Sequence, residues 1–509
     1  MGNTLPRAAF TLSFAALLLA GCYRPGPTAQ VWQPEATVAP LPAQLTPQGS
    51  DFAFPTQRSF TSPYNTPTPD TPHSLPTLRS QEEQYVVQSG DYLALISARY
   101  NINISSLASA NGLSAADWLQ PGQVLTIPAP QPNVSPSGFK IIPDSELVNG
   151  PMSATLDVDA FIQSTGGYLS RYTETVDEEP TSGTEVLKRV SREYSVSPRL
   201  LLAILEYQSG WLSQTNPPET IATYPMGLID SDHKGLYHQL AWAASQLNYG
   251  YYLYKVNGLA YSQLADGSLV TFPATLNAGT VAVQRFFAKI EDASTWQNAV
   301  SQNGLYATYA RLFGIPFDLS VEPLLPANLS QPELRLPFED GAVWSFTGGP
   351  HAGWDAGSAW AALDFAPPGT AYGCFTSDAW EVAVADGVIT RSENGEVVLD
   401  LDGDGLEQTG WTLLYMHVAT QDRIRVGTVV QAGDRIGHPS CEGGVSNGTH
   451  LHIARRYNGE WISADGEIPF VMDGWTSHGD GTEYDGTLSK GGLTLTAWDG
   501  RIAENQIQR

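Results

Sequence analysis

Apolar residues repeat along this chain with different periods, and each change of period marks a change of architecture. Over residues 139–325 they recur every three or four positions: 185–194 predicts a helix, and "VSPRLLLAILEYQSGWLS", "HQLAWAASQLNYGYYLYKVNG" and "LNAGTVAVQRFFAKI" keep the same spacing. From residue 332 onward the runs shorten to four to eight residues between Gly and Asp turns, as in "EVAVADGVITRSENGEVVLDLDGDG", "WTLLYMHVA" and "THLHIARRYNGEW". Such runs predict antiparallel sheet. Between 84 and 128 both patterns occur: a strand over 85–87, a turn at Ser89-Gly90-Asp91, helices over 93–100 and 104–111, a turn at Pro121-Gly122 and a strand over 124–127. Residues 23–83 have little periodicity and are rich in Pro, Thr, Gln and Ser, which predicts an unfolded tether. At about 3 Å per residue in a polyproline-like state, it would reach on the order of 100 Å. A chain of 509 residues is too long for one ordinary core. The expected fold is multidomain α+β: a small βααβ module at 84–128, a mainly α domain at 139–325 and a mainly antiparallel β domain at 332–509.

The N-terminus and the charge change this picture. Residues 1–7 carry a single Arg, and "AAFTLSFAALLLAG" is an apolar stretch too short to span a membrane comfortably, ending in Leu19-Ala20-Gly21-Cys22. That ending resembles the bacterial lipobox. The resemblance implies that residues 1–22 are a signal peptide with its lipidation Cys, that Cys22 becomes the lipidated N-terminus, and that the chain is exported to the cell envelope. No later apolar run is long enough to span, so the lipid is the expected anchor to the outer face of a membrane. A formal net charge of −26, from 26 Lys+Arg against 52 Asp+Glu, argues against nucleic acid and against attraction to an anionic surface. A monomer is expected. Cys374 and Cys441 then remain, and two leftover Cys in an exported chain are candidates for pairing.

The candidate chemistry sits in the β domain. In a strand, successive side chains point to opposite faces, so His450 and His452 share one face while Leu451 and Ile453 point to the other. Apolar residues on one side and imidazoles on the other suggest a core behind the sheet and a site in front. Zinc in a hydrolase wants three N/O ligands and an open position, with bases close by. His351 in "TGGPHAGWD", an Asp shortly after it, and His417 in "LLYMHV" are available in the same domain.

Three resemblances add to this reading. Residues 84–128 resemble a LysM module, through "VVQSGD", "NGL" and "LQPGQVLTIP". That implies binding of N-acetylglucosamine-containing glycan, here peptidoglycan. In the helical region, "LLLAILEYQSGW" and "NAGTVAVQRF" resemble the lysozyme-like lytic transglycosylases. Where that family places a Glu, this chain has Gln208, and an amide cannot donate and retake a proton as a carboxylic acid does. Glu206 lies about 200° around the helix from Gln208. The region is expected to be a degenerate lysozyme-like domain that holds glycan without cutting it.

Residues 336–458 resemble the lysostaphin and β-lytic zinc metallopeptidases, which cut peptide bonds in bacterial peptidoglycan. The shared marks are Gly-x-His, "LDFAPPGT", "VAVADGVI", "LYMH" and "CEGGVSNGTHLH", in the family's order. The resemblance implies a zinc endopeptidase in which His351, an Asp and His452 hold Zn2+ and His417 and His450 act beside its water. Asp355 and Asp364 both compete for the carboxylate position; the "LDFAPPGT" flank favours Asp364, with Asp355 as runner-up. Cys441 lies in "CEGG", which makes a Cys374–Cys441 disulfide plausible. The chain is thus expected to be an enzyme whose partners are wall glycan and wall peptide. The alternative is a wall-binding regulator of other hydrolases that has lost its own activity. "DLDGDG" reads as an acidic hairpin turn, since position twelve of a calcium loop would be Trp411, and His233, His238, His438 and His478 read as surface or structural.

Overall fold

The structure is a computed structural model that describes residues 67, 69–100 and 102–509. The leader, Cys22 and most of the tether lie outside the described residues. No helix among the described residues is long and apolar enough to cross a membrane. Mixed helix and antiparallel sheet make up the fold.

The end of the tether stretch is attached. The Asp70 amide donates to Thr275 O and the His73 amide to Ala274 O, Lys140 pairs with Asp70 at 2.8 Å, and the His73 ring lies 4.4 Å from that of Tyr254. Composition alone predicted free chain here, but Leu75 adds apolar surface to the helical core. Next, strands β1 (Glu83–Val86) and β2 (Val124–Ile127) pair antiparallel beside helices α1 (Leu93–Arg99) and α2 (Ile104–Ala110). Ile96, Leu107, Leu125 and Ile127 close a small core of their own. The pattern placed β1 one to two residues late.

In the helical region, α3 (Gly183–Tyr194) starts where Ser182 accepts from the Glu185 amide, and α4 (Pro198–Ser209) starts with Pro at its first turn. Gly210, at φ 63°, ends α4 in the left-handed conformation. Residues 198–206 of α4 are all buried, as in a helix packed on every side. Helices α5 (Leu236–Lys255) and α6 (Ala278–Ala288) meet at Gly250, where a Cβ would lie 2.7 Å from the Ala282 Cα.

The large sheet is built from β3 (Val343–His351), β4 (Ala362–Ala366), β5 (Gly387–Glu393), β6 (Glu396–Asp400), β7 (Trp411–Met416), β8 (Val429–Val430), β9 (Leu451–Tyr457), β10 (Glu460–Trp461) and β11 (Gln506–Gln508). Its order is β8-β5-β6-β7-β9-β4-β3-β11, with β10 on β9, and every pairing is antiparallel. Leu363, Phe365, Leu413, Tyr415, Leu451 and Ile453 fill the back core. On the front, one row of paired residues runs Met416, His452, Asp364, Gly348. The next row carries Leu414, Ala454 and Ala362, which share one continuous core with the helical region, as do Val398 and Trp461. Helices therefore cover the front face up to the row that bears His452 and Asp364.

Behind the sheet, Glu381 is fully buried, neither carboxylate oxygen has a hydrogen-bond partner, and burial holds its pKa well above the ordinary value. The native state therefore keeps this proton, whereas the unfolded chain releases it near pH ~4.3. Stability from this site is full below that value and declines by up to about 1.4 kcal/mol per pH unit as pH rises toward the native pKa. Glu381→Gln should raise the melting temperature at pH 8, with the gain vanishing near pH 4 in thermal scans across that range.

Candidate metal centre

Four histidines and one aspartate meet at the front of β3, β4, β7 and β9. His351 ends β3 and Asp364 sits within β4, directly across from His452 in β9. His417 follows β7 in a left-handed backbone conformation, φ 70°, fixed by Ser440, whose amide and hydroxyl donate to the His417 carbonyl at 2.7 and 2.8 Å. His450 precedes β9 in an isolated bridge with Ser440 rather than lying inside the strand. It still reaches the same carboxylate as His452: their nearest nitrogens are 3.7 and 3.3 Å from Asp364 Oδ1.

Each ring has one nitrogen occupied by a backbone carbonyl. His351 Nδ1 is 2.8 Å from Gly349 O, His452 Nε2 is 3.1 Å from Gly353 O, His417 Nδ1 is 3.1 Å from Glu442 O, and His450 Nδ1 is 2.7 Å from Gly448 O. A carbonyl only accepts, so each of these nitrogens carries the proton and the other nitrogen of a neutral ring is a lone pair. The lone pairs of His351 Nε2 and His452 Nδ1 then face each other at 2.9 Å, and Asp364 Oδ1 stands 3.2 and 3.3 Å from them. These three acceptors have no proton to share, and Asp364 Oδ1 is buried without a hydrogen-bond donor.

A metal fits this donor set. Tetrahedral zinc with bonds of about 2.0–2.1 Å requires ligand atoms roughly 3.3 Å apart. The observed edges of 2.9, 3.2 and 3.3 Å match that triangle. Two imidazoles and a carboxylate are the ligand types of a catalytic zinc, and the carbonyls behind the rings set their tautomers. Gly348 gives the carboxylate its room, because a Cβ there would lie 2.7 Å from Asp364 Oδ2.

The charges of these groups depend strongly on one another. Burial raises the pKa of Asp364, but His351 and His450 outweigh it and hold the carboxyl well below its usual range. Burial lowers His452, partly offset by Asp364. In His351, burial is overcome by Asp364, and the pKa is raised. His417 is pushed down to about 3 by burial, with His450 and His452 adding to the effect, so its ring is neutral at physiological pH.

Asp355 is not brought to the centre. It sits in a turn at φ 53°, with its carboxylate accepting its neighbour Ala356 N–H at 2.7 Å. Asp364→Ala should therefore lose bound metal, whereas Asp355→Ala should keep it; metal analysis of the two purified variants decides between them. Sequence reasoning did not find Tyr484, which is half-exposed and stacks on His351 with centroids 4.3 Å apart at 20°. Nothing in its Gly- and Asp-rich loop signals that contact.

Cys374 and Cys441 are bonded. The His438 ring lies 3.8 Å from that of Trp380 at a tilt of 43°, His478 meets Ser489, His233 pairs with Asp230 and His238 lies against Tyr237. Asp400, Asp402 and Asp404 gather their carboxylates, yet those of Asp400 and Asp404 already accept amides of their own loop. In the helical region, Glu206 accepts the Leu212 and Ser213 amides while Gln208 turns to Glu291, 3.2 Å away.

Residues 85–128 match the LysM domain, and residues 140–327 match the N-terminal domain of LasA. Protease LasA from two strains of Pseudomonas aeruginosa is 27% identical over 326 residues, covering 58% of this chain and 72% of the relative. Similar solved structures include the M23 metalloprotease pseudoalterin from the deep sea, with 25% identity, 33% of this chain, 97% of that chain and a TM-score of 0.28. A zinc-containing peptidase from Vibrio cholerae has 18% identity over 27% of this chain and 41% of its own, with a TM-score of 0.20. The catalytic domain of lysostaphin from Staphylococcus simulans has 23% identity over 24% and 87%, with a TM-score of 0.17.

Proposed function

We propose that this chain, which carries a LysM domain and a LasA-type N-terminal domain, is a peptidoglycan peptidase related to Protease LasA, a zinc endopeptidase cutting stem-peptide or cross-bridge amide bonds. The observation that carries this reading is the triangle of His351, Asp364 and His452, three buried side chains of zinc-ligand type whose ligand atoms lie 2.9, 3.2 and 3.3 Å from one another. These three residues would hold the ion. Bound there, zinc would polarise the scissile carbonyl and make water acidic enough to ionise near neutral pH.

The rest of the chemistry belongs to the chain. His417 and His450, their rings 4.5 Å apart, keep their protons on Nδ1 and present Nε2 as bases. The Nε2 that takes a proton from the attacking water then carries it as N–H, and that proton is the one delivered to the amine that leaves. A protonated imidazole also stabilises the oxyanion of the tetrahedral state. The LysM module holds glycan and the β domain takes peptide. The helical region serves as a second, non-cutting contact. Lipidation at Cys22 would place the chain in the envelope, facing out from the membrane.

Purified peptidoglycan incubated with the full chain should release new amino groups but no new reducing-end or anhydro sugars. A chelator should stop the release, and added zinc should restore it. A chain that binds wall but holds no zinc and frees nothing would sink the peptidase reading in favour of a regulatory one.

A further inference from the structure

The peptidase reading names His417 and His450 as proton carriers; the inference here rests on that reading and concerns what keeps their rings aimed. Both carbonyls that accept from Nδ1, those of Glu442 and Gly448, belong to the single segment 441–448. That segment has no helix or strand, Gly443 and Gly444 take φ of 71° and 57°, and Val445 at its tip is fully exposed. Irregular chain of this kind needs external restraint to hold an atom within a few tenths of an ångström.

Three restraints converge on it. Cys441 is bonded to Cys374. The Glu442 carboxylate accepts from the Thr420 amide at 2.8 Å and from its hydroxyl at 2.6 Å, three residues past His417. The tip of the β5–β6 hairpin presses from below: a Cβ on Gly443 would lie 2.3 Å from Asn394 O, and one on Gly395 would lie 2.4 Å from Glu442 O. Within the segment, the Ser446 hydroxyl donates at 2.8 Å to Gly448 O, the carbonyl that holds His450. The metal candidates are fixed separately, on β3, β4 and β9, with carbonyls from Gly349 and Gly353.

We propose that residues 441–448, clamped by the Cys374–Cys441 disulfide and by Thr420 on Glu442, are the positioning element that keeps both Nε2 lone pairs turned toward the scissile bond. The element acts on the imidazoles alone; metal binding does not depend on it.

The test uses the full chain with Thr420→Val, Thr420→Ser and the double variant Cys374→Ala/Cys441→Ala. On solubilised peptidoglycan, Thr420→Val and the double variant should keep one zinc per chain and hold KM within about twofold, while kcat falls roughly 10- to 100-fold. Thr420→Ser, which retains the hydroxyl, should recover most of kcat. Unchanged kcat in both, or loss of zinc together with activity, overturns the proposal. If the double variant does not fold, the Thr420 pair decides.

A second readout is independent of turnover. Nitrogen-15 spectra of labelled histidine should show His417 and His450 as single Nδ1–H tautomers in the parent, averaged toward both tautomers in Thr420→Val, with His351 and His452 unmoved. Spectra of all four rings that do not change overturn the proposal. If the parent frees no amine, the peptidase reading fails by itself, and the spectra still decide whether the segment positions the rings.

Discussion

His452→Ala is expected to hold no zinc, where the parent should hold one ion per chain, and to lose hydrolysis of peptidoglycan by roughly a thousandfold or more. The argument is one of donor count. His452 Nδ1 forms two edges of the ligand triangle, to His351 Nε2 at 2.9 Å and to Asp364 Oδ1 at 3.3 Å. Removing it leaves one imidazole and one carboxylate, too few for a zinc that must also keep an open position. A metal held there would supply several kcal/mol of transition-state stabilisation, which converts to the thousandfold loss. Elemental analysis and amine release on the same preparation check both halves. A variant that keeps its zinc would show that the ligand set has been assigned wrongly.

The second large effect separates proton transfer from metal binding. His417→Ala and His450→Ala should each retain zinc, since neither Nε2 is part of the triangle, yet each should lose about 10²- to 10⁴-fold in kcat with little change in KM. The two losses should not add. The two rings lie 4.5 Å apart and serve one reacting centre, so the double variant should be only slightly worse than the poorer single variant. Single-turnover amine release, with zinc content measured alongside, tests this. Loss of zinc in either variant would move that histidine from proton carrier to ligand.

Much of the centre was legible because its signals are local. The alternation of His450 and His452 put two imidazoles on one side of an apolar strand, and the flank of Asp364 marked a strand where Asp355 sits in a turn. The two histidines do converge on one carboxylate, although His450 lies just before β9 and owes its direction to the bridge with Ser440. What the sequence withheld is carried by backbone atoms. The carbonyls of Gly349, Gly353, Glu442 and Gly448 set four tautomers, and a carbonyl has no residue signature. The covered front face was partly announced: "WTLLYM" does not alternate, and all six residues of β7 are buried, as in a strand with a core on both sides. The identity of what covers it was not, since packing between segments two hundred residues apart leaves no periodic trace.

That shared core has a thermodynamic consequence. Ala362, Leu414, Ala454 and Trp461 of the sheet lie in one cluster with α4, α5 and α6, and the indole of Trp461 donates to Tyr194 O at the end of α3 while its amide donates to the Tyr252 hydroxyl. Helices and sheet should then melt in a single calorimetric transition, with an enthalpy set by both together, while residues 83–127, closed around Ile96, Leu107 and Leu125, melt on their own. A β domain cut free at residue 332 would expose that apolar face to water and should associate or precipitate instead of remaining a dispersed monomer.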